Sequence, residues 1–239
     1  MALRKYIPDL ITAMNVVCGL VGVVFALQSR LDIAFYCMLA AAVFDFLDGF
    51  AARLLGAYSD FGKELDSLCD LISFGFLPAL MLCNLMQTYR FDGSWICWLP
   101  FLLTVFSALR LAKFNVDERQ TDGFLGLPTP ASALLCGALC CYCCHTPLEF
   151  LSTWVSGPVF IPLLTLCLCA LLVCEVPMFS VKLHPDDSRS LWVKRLTMVA
   201  FFVAAALFCL VAGHHWSLAV VLGFLFYILN NLVYALFKL

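Results

Sequence analysis

Eight long apolar runs, separated by short polar connections, constrain the fold of this chain more than any other feature of its sequence. A helix needs about 20 apolar residues to cross a bilayer core about 30 Å thick, and lipid admits only helices and closed barrels because these satisfy their own backbone hydrogen bonds. The polar–apolar alternation of barrel strands is absent. The pattern therefore predicts an all-α polytopic membrane protein with about eight transmembrane helices in a single membrane-embedded domain, residues 1–239. The predicted spans are residues 11–28, 32–54, 66–88, 95–115, 130–146, 157–176, 195–213 and 216–237.

The composition agrees with a lipid environment and excludes a soluble globular domain. Of the 239 residues, 64% are hydrophobic and 13% are charged, whereas soluble domains average about 45–50% apolar and about 25% charged residues. The formal net charge is -2, and no run of like charges occurs. We therefore expect no nucleic-acid partner.

The distribution of lysine and arginine predicts the orientation of the spans, because cytoplasmic loops of membrane proteins carry an excess of these residues. If the N-terminus is cytoplasmic, all but two of the fourteen basic residues fall on the cytoplasmic side, and only Arg30 and Arg90 fall outside. We expect both termini in the cytoplasm of an integral protein of a bacterial inner membrane. The cytoplasmic set is Arg4, Lys5, Arg53, Lys63, Arg110, Lys113, Arg119, Lys182, Arg189, Lys194, Arg195 and Lys238.

The fourteen cysteines do not form the pattern of a disulfide framework. Many lie inside the apolar runs, where cysteine acts as a small hydrophobic residue. One cluster differs, because residues 140–145 (Cys-Cys-Tyr-Cys-Cys-His) contain two overlapping C-x-x-C spacings that can bind zinc. This cluster lies in an apolar stretch without a second ligand pair, so the sequence favours packing over a metal site and leaves its role open.

Four aspartates stand out against the apolar background: Asp45 and Asp48 in the second span, and Asp66 and Asp70 in the third. An ionised carboxylate inside a span costs at least about 2.5–3.5 kcal/mol on insertion scales, so cations or protons must offset the charge. Spacings of three and four residues place each pair on one helix face. With the third span expected to begin near Asp66, the helical rise brings both pairs to a similar depth near the cytoplasmic face. Four hard oxygen donors suit magnesium or manganese better than zinc.

These residues alone leave two kinds of function open. Paired membrane aspartates serve proton relays and cation-transport sites, and small residues at helical spacing often serve packing. Alternatively, two divalent ions about 3.5–4 Å apart can clamp the attacking and leaving oxygens of a displacement at phosphorus. Gly49 and Gly62 would then let a nucleotide approach the backbone, and Arg53 is placed to contact a pyrophosphate.

One spacing resembles the signature of the CDP-alcohol phosphatidyltransferase family, namely D-x2-D-G-x2-A-R-x8-G-x3-D-x3-D. The resemblance implies a homodimeric helical membrane enzyme that uses two divalent cations, Mg2+ or Mn2+, to transfer a phosphatidyl group from CDP-diacylglycerol to an alcohol, releasing CMP. It also implies that the four aspartates bind metal, that Asp70 is in addition the general base, and that four further signature residues line the CDP site. The eight signature positions are Asp45, Asp48, Gly49, Ala52, Arg53, Gly62, Asp66 and Asp70, of which Gly49, Ala52, Arg53 and Gly62 form the CDP-site set.

A second polar cluster, Arg110, Lys113 and Asn115, lies near the cytoplasmic end of the fourth span. The helical rise places Arg110 at nearly the depth of Asp45, so its charge needs a partner, whereas Lys113 can extend toward the lipid headgroups. The sequence leaves two roles open for Arg110: an anion-binding residue of the acceptor site, or a structural counter-ion to the aspartates.

Several segments resemble the phosphatidylserine synthase branch of the same family. Residues 110–115 fit its R-x-A-[K/R]-[F/Y]-N element, and residues 126–131 fit G-L-P-x-P-A. Residues 7–19 fit its N-terminal stretch, with Asp9 where the branch has Asn. Pro177 to Lys182 is similar to a further loop of the branch.

The branch resemblance implies that the acceptor is L-serine and the product is phosphatidylserine. Arg110 or Lys113 would pair with the serine carboxylate, and Asn115 and Thr129 would complete the acceptor site. The signature and this site occupy residues 32–116, and residues 130–237 add further spans.

Two alternatives stay open from the sequence. A sister transferase using glycerol 3-phosphate or inositol phosphate would need an additional basic cluster for the phosphate of its acceptor. A divalent-cation transporter would need polar residues through the full thickness of the membrane, whereas the outer halves of the predicted spans carry almost no charge.

Overall fold

A computed structural model describes residues 6–88, 95–116, 124–146, 149–178 and 189–237 of the chain. Within these ranges the chain is almost entirely helical, with one short antiparallel ladder between β1 (Phe124–Leu125) and β2 (Pro177–Met178). A π-helix (Leu71–Phe76) joins α3 to α4, and a 3-10 helix (Trp95–Phe101) leads into α5. The α-helices are α1 (Tyr6–Leu27), α2 (Leu31–Leu55), α3 (Asp60–Asp70), α4 (Leu77–Thr88), α5 (Leu102–Val116), α6 (Thr129–His145), α7 (Glu149–Val155), α8 (Phe160–Val173), α9 (Arg189–Ala212) and α10 (Ser217–Phe237).

Among the described residues, six helical segments are long and apolar enough to cross a bilayer, which confirms the all-α polytopic membrane protein. Helices α6 and α8 coincide with the predicted fifth and sixth spans but contain 17 and 14 residues. They are therefore about 26 and 21 Å long, against a bilayer core of about 30 Å. A total of eight crossings stays a prediction. The six segments are Tyr6–Leu27, Leu31–Leu55, Asp60–Thr88, Trp95–Val116, Trp192–Ala212 and Ser217–Leu236.

The predicted orientation also stays a prediction. Of the described basic residues, Arg53 and Lys63 lie at the end of the bundle where α2 ends and α3 begins, whereas Arg30 lies in the turn between α1 and α2 at the other end. Part of the segment from Pro177 to Lys182 and several basic residues lie outside the described residues; these basic residues are Arg4, Lys5, Arg90, Arg119, Lys182 and Lys238.

The helix that carries the third span begins at Asp60, more than one helical turn before the predicted bound of the span at residue 66. The cause is Ser59, which has an extended backbone and accepts a hydrogen bond from the Gly62 amide at 2.9 Å through its Oγ. Serine is a preferred N-cap because its hydroxyl satisfies an amide that has no partner in the first turn. Asp66 consequently lies in the second turn of a formed helix.

Helix α1 packs closely against the π-helix because Gly19 has no side chain at the contact. A Cβ atom at this position would overlap the Ser73 hydroxyl. The Ser73 hydroxyl donates to the main-chain oxygen of Asn15 at 3.2 Å, and the Thr104 hydroxyl of α5 donates to the main-chain oxygen of Gly75 at 3.2 Å. The π-helix, a rare element that is frequent at functional sites, is thus held from two sides.

Helix α6 lies inside the bundle, in contact with α2, α4 and α10. Gly137 permits the close approach to α2, because a Cβ there would lie 2.7 Å from Phe35 Cδ2. The fourteen cysteines all lie in the described ranges and are free thiols, and many of them are buried. This agrees with their interpretation as small hydrophobic residues rather than a disulfide framework.

The chain enters α6 through a turn at Gly126, whose φ is +79°. A Cβ at Gly126 would lie 2.8 Å from the main-chain oxygens of Leu172 and Cys174, at the end of α8. The Gly126 amide donates to the oxygen of Val176 at 2.9 Å. Only glycine combines this left-handed conformation with so close an approach, and the turn fixes the position of Thr129 at the start of α6.

Candidate active site

The start of α1, the end of α2 and the start of α3 meet at one end of the bundle and bring three of the four aspartates together. One carboxylate oxygen from each of Asp45, Asp48 and Asp66 lies within 4.8 Å of the others. Asp45 and Asp48 are one turn apart on α2, as their spacing predicts, and Asp66 approaches them from α3. Carboxylate oxygens grouped in this way can hold a hard divalent cation.

The environment of Asp48 fits cation binding. Its side chain is buried, and its Oδ2 has no hydrogen-bond partner among the described residues. Burying a charged oxygen without a partner is costly, and such atoms in native proteins call for an explanation such as an ion. Asp45 and Asp66 are half-buried beside it, so a divalent cation here would offset the mutual repulsion of the three carboxylates.

Asp70 is held separately from these three residues. Its side chain is 7% exposed, and its Oδ1 accepts a hydrogen bond from Asn15 Nδ2 at 3.1 Å. It lies close enough to Asp45, Asp48 and Asp66 for electrostatic interaction. The geometry thus distinguishes one carboxylate with its own amide donor from the three that share a cluster.

A cavity of about 480 Å³ opens beside the aspartates. Gly49, Ala52 and Gly62, which the signature assigns to the CDP site, all line it together with Asp48 and Asp66. Nothing lies within 4 Å of the point that a Cβ would occupy at Gly49. Gly49 therefore leaves free space directly against the backbone of α2.

Asp9 contributes to the same cavity from the start of α1. Its Oδ1 would lie 3.0 Å from a Cβ at Gly62, so the glycine lets the first turn of α1 approach α3. The departure from the branch pattern, Asp instead of Asn, thus adds a carboxylate to the wall of the cavity.

Arg53 follows Gly49 by one helical turn and is exposed. Its Nε donates to the main-chain oxygen of Gly49 at 3.1 Å, and it is not among the residues that line the cavity. The guanidinium has four further N–H donors. A contact of Arg53 with a pyrophosphate stays a prediction.

Arg110 and Thr129 of the predicted acceptor site lie in direct contact. Arg110 is 8% exposed, and its Nη1 donates to Thr129 Oγ1 at 2.8 Å. The guanidinium also lies over the ring of Phe114, 5.7 Å from the centroid, and interacts electrostatically with Asp70 and Tyr227. Both roles considered for Arg110, anion binding and a counter-charge to the aspartates, are compatible with this position.

Lys113 and Asn115 have other partners. Lys113 Nζ pairs with Glu175 Oε1 at 3.0 Å, near the end of α8. Asn115 Nδ2 donates to Ser67 Oγ at 2.9 Å, and Lys63 Nζ donates to the main-chain oxygen of Asn115 at 2.9 Å. These contacts connect the end of α5 to α8 and α3.

The sequence did not assign a role to Asn15, although it lies in the N-terminal stretch that is similar to the branch. Asn15 is 0% exposed, and a fully buried amide inside an apolar run needs a hydrogen-bond partner. That requirement was the signal in the sequence that could have pointed to Asn15. The partner, Asp70, is 55 residues away in the sequence, so no local pattern could identify it.

Comparison with known proteins identifies the family of this chain. Residues 5–162 match the family model described as CDP-alcohol phosphatidyltransferase. A relative from Bacillus subtilis (strain 168), named CDP-diacylglycerol–serine O-phosphatidyltransferase, is 32% identical over 185 residues, which is 77% of this chain and 96% of the relative. Two proteins of the same name are also similar. One, from Methanocaldococcus jannaschii, is 36% identical over 141 residues (58% of this chain, 63% of the relative), and the other, from Mycobacterium leprae (strain TN), is 32% identical over 219 residues (87% and 70%).

The matched region contains the aspartate cluster, the cavity beside it, and the contact between Arg110 and Thr129. It extends over more than half of the chain, and the helices identify an integral membrane protein. This chain therefore belongs to the CDP-alcohol phosphatidyltransferase family.

Proposed function

We propose that this chain transfers a phosphatidyl group from CDP-diacylglycerol to L-serine, giving phosphatidylserine and CMP. The observation that carries the proposal is the group formed by Asp45, Asp48 and Asp66 beside a cavity lined by small residues, with Asp70 and Arg110 nearby. The relatives described above bear this activity in their names at 32–36% identity, which supports serine as the acceptor.

The four aspartates, Asp45, Asp48, Asp66 and Asp70, would hold two divalent cations, Mg2+ or Mn2+. An all-oxygen donor set suits these hard ions, and Asp48 Oδ2, which lacks a hydrogen-bond partner among the described residues, fits direct ligation. When bound, the cations would neutralise the diphosphate and support displacement at phosphorus.

The cavity would receive the CDP part of the lipid donor. Gly49 and Ala52 on α2 and Gly62 on α3 leave room for a ligand to approach both helices. Arg53 would contact the pyrophosphate through charge-assisted hydrogen bonds, which are stronger than neutral ones.

Asp70 would be the general base for the serine hydroxyl. Asn15 holds one carboxylate oxygen of Asp70, so the orientation of the carboxylate is set before the substrate binds. The serine oxygen attacks the phosphorus atom that carries diacylglycerol, the new oxygen–phosphorus bond forms, and the bond to the CMP oxygen breaks. The hydroxyl proton passes to Asp70, and CMP leaves with the electron pair of the broken bond.

Arg110 would bind the serine carboxylate. Its guanidinium can form two parallel hydrogen bonds with a carboxylate, which a lysine cannot do, and Thr129 already orients it. We favour Arg110 over Lys113 for this role because Lys113 pairs with Glu175. Asn115 would hold the end of α5 against α3 through its hydrogen bond with Ser67.

The site would face the cytoplasm of a bacterial inner membrane, in a homodimer. Arg53, Lys63 and Lys113 lie at the end of the bundle that carries the aspartates, and Arg30 lies at the other end. This distribution supports a cytoplasmic site, because basic residues are enriched on that side of membrane proteins.

The test is an acceptor comparison with the purified chain in lipid nanodiscs. CDP-diacylglycerol and Mg2+ or Mn2+ are supplied with serine, glycerol 3-phosphate or inositol phosphate, and CMP release is measured. We expect release with serine, and its loss with EDTA or in Asp66→Asn. Asp32→Asn, which removes an aspartate at the opposite end of α2, is the matched control and should remain active. Faster release with either phosphorylated alcohol would identify a sister transferase and overturn the proposal.

A further inference from the structure

A second cluster of metal-ligating side chains lies at the end of the bundle opposite the aspartates. It consists of Cys141 and His145 on α6 and His215 in the connection between α9 and α10, and one ligating atom of each lies within 4.8 Å of the others. Thr129, at the start of α6, contacts Arg110 beside the aspartates. Helix α6 is about 26 Å long, so the two sites are separated by most of its length.

The side chains of the cluster lie close enough together to share one ion. Cys141 and His145 are one turn apart on the same helix face, and Cys141 Sγ lies 3.9 Å from His145 Nδ1. Two ligands of a tetrahedral zinc ion, with bond lengths of about 2.3 Å to sulfur and 2.0–2.1 Å to nitrogen, are about 3.6 Å apart, and the ligating atoms of the three residues lie within 4.8 Å of one another. The imidazoles of His145 and His215 are stacked, with centroids 4.2 Å apart, and one nitrogen of each ring lies within 4.8 Å of the Cys141 sulfur.

Metal-ligating histidines almost always form a hydrogen bond through the ring nitrogen that does not bind the metal, and both imidazoles have a partner for such a bond. His145 Nδ1 lies 2.9 Å from the main-chain oxygen of Cys141, and His215 Nδ1 lies 2.8 Å from Ser217 Oγ. When Nδ1 is bound to such a partner, Nε2 is left to bind a metal. Ser217 also forms a hydrogen bond with the Cys141 side chain, so one hydroxyl connects two members of the cluster.

The connection that carries His215 is anchored to the bundle. Trp216, the next residue, stacks on the ring of Phe35 in α2 at 5.8 Å. His145 is exposed, whereas Cys141 is buried, so an ion can enter from the surface and reach an enclosed thiolate. Asp32, in the first turn of α2, is close enough to interact with the Cys141 thiol, and its charge together with one thiolate balances a divalent ion.

We propose that Cys141, His145 and His215 form a Zn2+ site that fastens the end of α6 to the connection between α9 and α10. A thiolate with two imidazoles selects a softer ion than an all-oxygen set does. The two ends of the molecule therefore bind different metals, with hard cations at the aspartates and zinc here. Three protein ligands leave one position for water or a fourth side chain.

Cobalt substitution tests the site, because only a thiolate ligand gives a sulfur-to-Co2+ charge-transfer absorption. The purified full chain in nanodiscs is kept in excess Mg2+, which occupies the aspartates, and is titrated with Co2+. We expect this absorption to saturate at one equivalent in the wild type. It should be absent in Cys141→Ser, and His215→Gln should weaken binding by at least about 100-fold, since loss of an outer-shell partner alone costs 10–100-fold.

Cys167→Ser is the matched control, because Cys167 is an exposed thiol on α8 outside the cluster; it should bind Co2+ as the wild type does. CMP release should be unchanged in Cys141→Ser, which separates this site from the proposed catalytic one. The proposal is overturned if the wild type shows no thiolate absorption, or if the absorption persists in Cys141→Ser. Circular dichroism verifies folding, and if Cys141→Ser does not fold, undiminished binding in His215→Gln overturns the proposal instead.

Discussion

Replacing Asn15 with alanine tests whether its hydrogen bond positions Asp70 as the base. The amide is 0% exposed, and its Nδ2 donates to Asp70 Oδ1 at 3.1 Å. A hydrogen bond to a charged group contributes about 1.5–3 kcal/mol, and about 1.4 kcal/mol changes a rate tenfold. If this contribution is made in the transition state, kcat falls by about 10- to 150-fold.

Asn15→Asp distinguishes loss of the donor from loss of shape. Aspartate has nearly the same size as asparagine, but it places a second carboxylate against Asp70 where the amide donor was. We expect kcat to fall at least as far as in Asn15→Ala. Thr165→Ala is the matched control, since Thr165 is also 0% exposed but lies on α8, outside the site, and should leave kcat near that of the wild type.

The assay is the initial rate of CMP release in nanodiscs at varied concentrations of serine and CDP-diacylglycerol. A positioning role lowers kcat and leaves the KM for CDP-diacylglycerol unchanged, whereas general loosening of the bundle lowers the melting temperature and the affinity for both substrates. A folded Asn15→Ala variant with wild-type kcat would refute the reasoning, and so would a variant that changes only the KM for CDP-diacylglycerol.

Three further predictions concern the metal site, the acceptor site and one turn. Asp48→Asn should abolish CMP release with circular dichroism unchanged, because it alters the buried oxygen that has no partner among the described residues; an active variant would contradict the metal role. Arg110→Lys should raise the KM for serine alone, with a contact of about 1.5–3 kcal/mol at stake, whereas equal rises for both substrates would identify Arg110 as a counter-ion to Asp70. Gly126→Ala should lower the melting temperature more than Gly213→Ala, since both have positive φ (79° and 70°) but only Gly126 approaches main-chain oxygens. Equal melting temperatures of the two variants would show that the structure relieves the clash between the alanine Cβ and the main-chain oxygens, and would contradict this prediction.

Most helices could be located from hydropathy because lipid leaves the backbone few alternatives. The predicted bounds of the second span, 32–54, and of the last, 216–237, agree with Leu31–Leu55 and Ser217–Phe237 to within a residue. The start of α3 could not be found in this way. Its first turns are polar, so they lie outside the apolar pattern, and the cap at Ser59 determines where the helix begins.

The grouping of the aspartates was predictable in part. Helical spacing and rise relate Asp45 to Asp48 and bring Asp66 to their depth, and the structure places these three side chains together. The separate environment of Asp70 was not predictable, because it depends on contacts that α1 makes with the third span. These contacts are the close approach of Gly19 to Ser73 in the π-helix and the hydrogen bond from Asn15 to Asp70, and both join segments far apart in the sequence.

The acceptor segment shows how residues adjacent in sequence divide between binding and support. From Arg110 to Asn115 the helix rises about 7.5 Å, so the buried Arg110 lies further from the end of α5 than Lys113 and Asn115 do. The inner residue has a guanidinium beside Thr129 and near Asp70, whereas Asn115 bonds to Ser67, the residue after Asp66. A single helical segment therefore carries the candidate anion-binding group and also fixes the helix that carries one of the clustered aspartates. Its position relative to α3 sets the distance between the proposed acceptor and metal sites.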